Sequence, residues 1–178
     1  VYKRQIQAQA IQNLIVDVGP KPQDVVLSWK NLYAHNRKLV DPTAKRFFFV
    51  ADPVKITVTG VPNSFSAKIP VHPDHPDMGF RSFDVTPKNG ETNILISKND
   101  LNLIQDQPAV RFMDLFNFTP QKSEENKVQA VFHSESYEEA RQLSAPLIHW
   151  LPVGSNVQCE VVMPDASVAK GVVEDACR

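Results

Sequence analysis

Cysteine is nearly absent from this chain: Cys159 and Cys177 are the only two among 178 residues. Two thiols so far apart make neither a disulfide framework nor a metal site. They read as the reduced cysteines of a cytosolic protein. Glycine is scarce as well. Six glycines, all dispersed, cannot supply the glycine-rich loop that cradles a nucleotide phosphate. There is no Gly-x-Ser-x-Gly elbow, and neither cysteine sits in a recognisable Cys/His setting, so nucleophilic catalysis finds no support. Acids are scattered, and no carboxylate pair of the glycosidase kind stands out. No apolar run is long enough to span a bilayer. The start, Val1-Tyr2-Lys3-Arg4-Gln5, leads into a polar helix where a signal peptide would have an apolar stretch. An excess of charge of either sign is missing too. The formal net charge is -1, which excludes a protein that coats nucleic acid indifferently. Any contact with RNA has to be local. The chain does not begin with Met and reads as a piece of something longer.

What is present falls into two parts. Residues 5 to 17 carry Ile6, Ala10, Leu14 and Val18 at four-residue spacing, with Ile11 and Ile15 widening the stripe. That pattern predicts a helix, stopped by Gly19-Pro20. A second helix is expected from Asp24, a fair N-cap, to about Leu39, with Val25, Trp29, Leu32 and Tyr33 on its apolar face. Asp41-Pro42 ends it, because the residue before a proline is pushed out of the α region. After residue 45 the chain turns into short runs of Val, Ile, Phe and Thr between Pro, Gly and Asn. Val54, Ile56 and Val58 alternate with Lys55, Thr57 and Thr59, which is a half-buried strand. Further strands are expected at 65–71, 80–86, 92–97, 109–118, 127–133, 147–151, 157–163 and 168–173. The segment 121–126 reads as a polar hairpin tip, and 134–145 as a short polar helix or loop. Many short, regularly spaced strands point to barrels or sandwiches.

Two stretches can carry recognition chemistry. Between residues 30 and 46 five positive side chains, Lys30, Arg37, Lys38, Lys45 and Arg46, meet one acid, Asp41. Such a band can hold phosphates, and Arg can also read a base edge. Phe47 and Phe49 beside it either stack on unpaired bases or fill a barrel core. The second stretch runs from Ile69 through His72-Pro73-Asp74-His75-Pro76-Asp77 to Arg81. Its prolines stiffen it, so it presents side chains with little ordering entropy left to lose. It is a rigid connection with His72 packed or hydrogen-bonded, a recognition loop ending at a basic strand start, or, least favoured, a metal site built on His72 and His75 with Asp74 or Asp77. Arg111 reads as one half of a surface ion pair with Asp114 or as a contact to a nucleotide. Trp150 reads as core.

Taken in series, these segments resemble the C-terminal region of glutamyl-tRNA synthetases of the archaeal/eukaryotic type, and more distantly glutaminyl-tRNA synthetases. The resemblance rests on Trp29-Lys30-Asn31-Leu32-Tyr33-Ala34-His35-Asn36-Arg37-Lys38-Leu39-Val40-Asp41-Pro42, on Arg46-Phe47-Phe48-Phe49-Val50-Ala51-Asp52-Pro53-Val54-Lys55 and on His72-Pro73-Asp74-His75-Pro76-Asp77-Met78-Gly79-Phe80-Arg81. It continues through Ile96-Ser97-Lys98-Asn99-Asp100-Leu101, Val110-Arg111-Phe112-Met113-Asp114-Leu115-Phe116-Asn117 and Ile148-His149-Trp150-Leu151. It implies a mainly β fold with a helical connector over 1–45 and two β-barrels. The proximal barrel would take 46–103 and about 152–178, and the distal one 104–151. Further strands would normally close the proximal barrel beyond Cys177-Arg178, so an open edge is expected there.

The implied function is tRNA anticodon recognition within a ligase that joins glutamate to tRNA(Glu) using ATP. This segment is expected to bind no cofactor and no metal. ATP with Mg belongs to a catalytic domain whose Lys-Met-Ser-Lys-Ser and His-Ile-Gly-His motifs are absent here. The tRNA-binding candidates are Asn36, Arg37, Lys38, Lys45, Arg46, Asp74, Arg81 and Arg111. Arg46 falls where glutaminyl enzymes place an Arg on the anticodon, and Arg111 matches an Arg near the last anticodon base. Asp74 stands where those enzymes have an Asn, exchanging a donor-acceptor amide for an acceptor-only carboxylate. Their longer basic loop before the Arg111 strand has no counterpart, since Asn102–Pro108 is short and holds no Lys or Arg. The expected partners are tRNA(Glu), tRNA(Gln) as a second candidate, and other synthetases, in the cytoplasm, without DNA or membrane. The competing readings are a stand-alone RNA-binding β-barrel and a protein-docking module.

Overall fold

A computed structural model describes residues 6–20, 25–121, 128–154 and 156–177. The chain forms two compact units, Val1–Lys45 and Arg46–Arg178. No helix among the described residues is long and apolar enough to cross a membrane.

The first unit is a pair of helices, α1 (Ala8–Val18) and α2 (Trp29–Val40). The four-residue stripe buries Ala10 and Leu14. Gly19 ends α1 at φ 63°, a left-handed conformation that suits a residue without a Cβ. The second helix starts later than expected, because residues 25–28 are not helical and Ser28, itself extended, caps it. The Ser28 hydroxyl accepts from the Asn31 amide at 3.2 Å. Val25 therefore lies outside the helical face, and Asp24 lies outside the described residues. The two helices are joined by the Gln7 amide, which donates to Asn36 Oδ1 at 2.7 Å, and by His35 Nε2 with Asp17 Oδ2 at 3.3 Å.

The second unit is mainly β. Its strands are β1 (Phe49–Ala51), β2 (Pro53–Thr59), β3 (Phe65–Pro70), β4 (Phe80–Val85), β5 (Glu91–Ser97), β6 (Val110–Phe112), β7 (Asn117–Pro120), β8 (Val128–Ser134), β9 (Leu147–Ile148), β10 (Leu151–Pro152), β11 (Val157–Val162) and β12 (Val168–Val173). Helices α3 (Asp100–Ile104) and α4 (Tyr137–Gln142) interrupt them. Among the described residues the strands make a seven-stranded sheet in the order β10-β5-β2-β8-β7-β6-β9, a three-stranded sheet β1-β12-β11 and the hairpin β3-β4. Two pairings, β2 with β8 and β6 with β9, are parallel and the others antiparallel. The large sheet thus draws strands from both of the segments expected to form separate barrels.

These hydrogen-bonded sheets are open and do not close into barrels. The ends of the large sheet explain why. Strands β9 and β10 are two residues long, and Pro152 in β10 lacks an amide donor, so neither edge offers a ladder on which a ring could close. The expected strand over 109–118 is two strands, because residues 113–116 turn tightly with Asp114 at φ 56°. Asp114 is therefore exposed at a turn and is not an ion-pair partner in a strand. The 147–151 run is likewise split around His149 and Trp150. The hairpin tip expected at 121–126 lies, beyond Gln121, outside the described residues.

Aromatic packing fills the core. Phe112 stacks on Phe118 with ring centroids 4.3 Å apart, and Trp150 meets Phe83 at 5.6 Å while its indole N–H donates to the Met113 carbonyl at 2.8 Å. Alternation leading into β1 sets Phe48 and Val50 inside. Phe47 and Phe49, read from the sequence as base-stacking or core residues, are half-buried. Gly171 in β12 lies against β1 so closely that a Cβ there would overlap the Val50 carbonyl oxygen and stand 2.8 Å from the Phe49 ring.

Candidate nucleic-acid interface

The proline-stiffened stretch is the connection between β3 and β4. Its ends are tied together by the Val71 amide donating to the Gly79 carbonyl at 3.0 Å. Inside it, His75 N–H reaches the His72 carbonyl and Met78 N–H the His75 carbonyl, at 3.3 and 3.1 Å. Gly79, at φ 89°, makes the turn back into β4. His72 is 1% exposed, and its Nδ1 accepts from the Asp74 amide at 3.1 Å. That bond shapes the loop from within, as the packed-histidine reading expected. The His75 ring lies 4.7 Å from it. No group of three or more His, Cys, Asp or Glu among the described residues is arranged to hold a metal ion. Asp74 is exposed on this loop.

Arg46 belongs to the same place. Its amide donates to the Val71 carbonyl at 2.9 Å, so a third backbone runs beside the end of the hairpin. The Arg46 residue is exposed there. Of the eight candidates, Arg46, Asp74 and Arg81 are brought to one end of β3-β4.

Arg81 is turned inward, however, and is only 9% exposed. Its Nε donates to Glu174 Oε1 at 2.9 Å and its Nη1 to the Pro70 carbonyl at 2.6 Å. Glu174 Oε2 is also close, 2.8 Å from Nε, but is not aligned to accept. The Phe48 amide donates to Glu174 Oε1 at 2.5 Å, and the guanidinium lies 5.1 Å over the Phe48 ring. The physical reason is strand parity: Arg81, Phe83 and Val85 share one face of β4, and that face is the core. This inward placement was legible from the spacing of 81, 83 and 85. Glu174, its partner across the fold, was not, because nothing local to either residue links them.

Beside this clamp the His149 ring stacks on Phe48 at 4.8 Å. Burial pushes the His149 pKa below 6.5, the Asp100 carboxylate pulls it back up, and Arg81 pushes it further down. Asp100 is raised above 3.8 by burial, against the pull of His149 and of a backbone hydrogen bond involving Ser97.

Arg111 has separate surroundings on β6. It is 8% exposed and its Nη1 donates to Asn117 Oδ1 at 2.8 Å and to the Glu135 carbonyl at 3.1 Å. Asn117 in turn donates to Ser134 Oγ and the Ser136 carbonyl, at 2.9 and 2.7 Å. The guanidinium lies 5.6 Å from the Tyr137 ring. Arg111, Tyr137, Arg141 and Leu147 line a cavity of about 290 Å³. Neither expected partner arrangement for Arg111 foresaw Asn117, whose role depends on the turn at 113–116 that the sequence did not signal.

The remaining candidates lie in the helical unit. Arg37 and Lys38 are exposed in the last turn of α2, where cations suit the negative end of the helix dipole. Asn36 uses its Oδ1 on the Gln7 amide. Lys45 is exposed at the end of the unit.

Residues 44–135 match the family model described as tRNA synthetases class I (E and Q), anti-codon binding domain. The chain belongs to this family. It is also similar to glutamate–tRNA ligases: 47% identical over 175 residues to that of Pyrococcus abyssi, 38% over 174 to that of Methanothermobacter thermautotrophicus, and 36% over 172 to that of Methanopyrus kandleri. These alignments take in 97–98% of this chain but only 29–30% of each relative. The chain therefore spans less than a third of the length of the curated relatives it matches.

Proposed function

We propose that this chain reads the anticodon arm of tRNA(Glu) on behalf of a glutamate–tRNA ligase. The observation that carries this reading is the placement of Arg46. It lies just inside the region matching the anticodon-binding family, is exposed, and is fixed by its own amide to the rigid loop that bears Asp74. The mechanism is recognition without bond chemistry. Unpaired bases are held by stacking and edge contacts, while Arg and Lys side chains neutralise phosphates. Arg81 acts from inside, bonding the Pro70 carbonyl and so holding the loop in shape. Arg111 sits at a cavity whose Tyr137 wall can face a base. Joining glutamate to tRNA with ATP and Mg is assigned to the portion of the relatives that this chain does not cover. A proximal and a distal barrel, brought to completion by side-chain packing between the open sheets, is the finer architecture we assign, and the cytoplasm is the setting that goes with the role. tRNA(Gln) is the second substrate to test.

The test is a binding titration of tRNA(Glu) and tRNA(Gln) at two salt concentrations. Arg46→Ala is expected to weaken tRNA(Glu) binding by about 1–3 kcal/mol while the melting temperature is unchanged. Wild-type affinity should fall steeply with salt. Equal affinity of wild type and Arg46→Ala refutes the role of Arg46, and salt-independent binding refutes RNA recognition.

A further inference from the structure

The outer face of the β3-β4 hairpin is built by the same parity that buries Arg81. In the hairpin register Ser66 faces Asp84, Lys68 faces Ser82 and Pro70 faces Phe80, and these six residues form the side away from the core. Phe80 is 52% exposed there, an aromatic ring standing outside in a unit that buries Phe112, Phe116 and Phe118 completely. Its backbone is set by both neighbours. Gly79 turns the chain immediately before it, and Arg81 is anchored on Glu174 and the Pro70 carbonyl immediately after it. Lys68 places its ammonium 4.6 Å from the ring centroid. One residue beyond Pro70, the Val71 carbonyl receives the Arg46 amide. An exposed ring, a cation over it and the Arg46 backbone thus meet at one end of the hairpin.

We infer that Phe80 is a stacking platform for an unpaired base of the bound RNA, with Lys68 as the cation that moves from the ring to a neighbouring phosphate. Every base has a π-face, so such a platform adds affinity without choosing sequence. An exposed cation–π contact is weak, and exchanging it for a stacked base and an ion pair with phosphate costs little. The acid on this face, Asp84, faces Ser66 at the opposite end of the hairpin from Phe80 and marks where the platform stops. This inference rests on the reading that the chain binds tRNA.

The experiment measures fluorescence anisotropy of a labelled tRNA(Glu) anticodon stem-loop against the intact 178-residue chain and its variants. Phe80→Ala is expected to weaken binding about tenfold. Phe80→Leu, which keeps an apolar side chain but no ring, should lose as much, and Phe80→Trp should retain wild-type affinity. Lys68→Gln should weaken binding at low salt and match wild type at high salt. Because Phe80 is outside the core, all four variants should melt with the wild type. If Arg46→Ala weakens binding while Phe80→Ala and Phe80→Leu bind like wild type, the platform is refuted and the anticodon reading stands. A Phe80→Leu variant that binds normally while Phe80→Ala does not reduces the ring to apolar contact and overturns stacking. If the wild-type chain shows no salt-dependent affinity for the stem-loop, the anticodon reading itself fails and the platform falls with it.

Discussion

Replacing Glu174 by Ala should be among the most damaging single changes to this protein. The carboxylate is 2% exposed and sits between two donors, Arg81 Nε at 2.9 Å and the Phe48 amide at 2.5 Å. Removing it leaves a guanidinium, itself 9% exposed, as an uncompensated buried charge, together with an orphaned backbone amide. Breaking one side of a buried ion pair costs about 3–5 kcal/mol, and most of that is the desolvation of the group left behind. The Pro70 carbonyl, 2.6 Å from Nη1, is a neutral partner and offsets only part of this. Against a total stability of about 5–15 kcal/mol, the loss is decisive. In thermal unfolding followed by circular dichroism, the β unit should melt about 10–20 °C lower. Glu174→Gln keeps an acceptor for the Phe48 amide and should cost less than Glu174→Ala. Replacing both partners, as in Arg81→Met with Glu174→Leu, should recover much of the loss, because no buried charge remains unpaired. A Glu174→Ala protein that unfolds within about 1 kcal/mol of wild type in urea would refute the view that this pair is buried and mutually dependent.

Two further outcomes follow from the same unit. Gly171→Ala should destabilise by at least about 2 kcal/mol in urea unfolding, because its methyl would overlap the Val50 carbonyl and force β1 and β12 apart. A neutral Gly171→Ala would place the two strands further apart than described. His149 has its pKa lowered by burial, so folding favours its neutral form. The stability this gives is fully present above pH 6.5 and is lost as pH falls through the lowered value. The ring is partly open to solvent, so the loss is small, and it should vanish in His149→Gln when melting temperatures are compared across that window. Asp100 acts in the opposite sense at lower pH. Its raised pKa means that protonation on approach to 3.8 relieves a cost of folding.

How much of this was legible in the sequence depends on the range over which each signal acts. Alternation and turn residues act over a few positions, and strands such as Pro53–Thr59 and Val168–Val173 were readable to within a residue or two. The four-residue stripe of α1 was readable for the same reason. The division of 109–118 was not, since no Gly or Pro interrupts Val110 to Phe118 and only the left-handed Asp114 marks the break. At the site, strand parity turns Arg81 inward and Phe80 outward, against the usual preference of a charged side chain for the surface. The partner sets of Arg81 and Arg111 were beyond reach. Glu174 meets Arg81 across 93 positions, and Asn117 meets Arg111 only because an intervening turn brings β7 back along β6.

The parallel pairing of Ile56 with Val128 has a kinetic consequence. During synthesis β2 can pair with β5 once residues 91–97 are made, but its other edge stays open until residues 128–131 follow. At ordinary translation speeds that interval lasts several seconds. During it a Val- and Ile-rich edge is bare, so this unit is open to edge-to-edge aggregation until β8 has been synthesised.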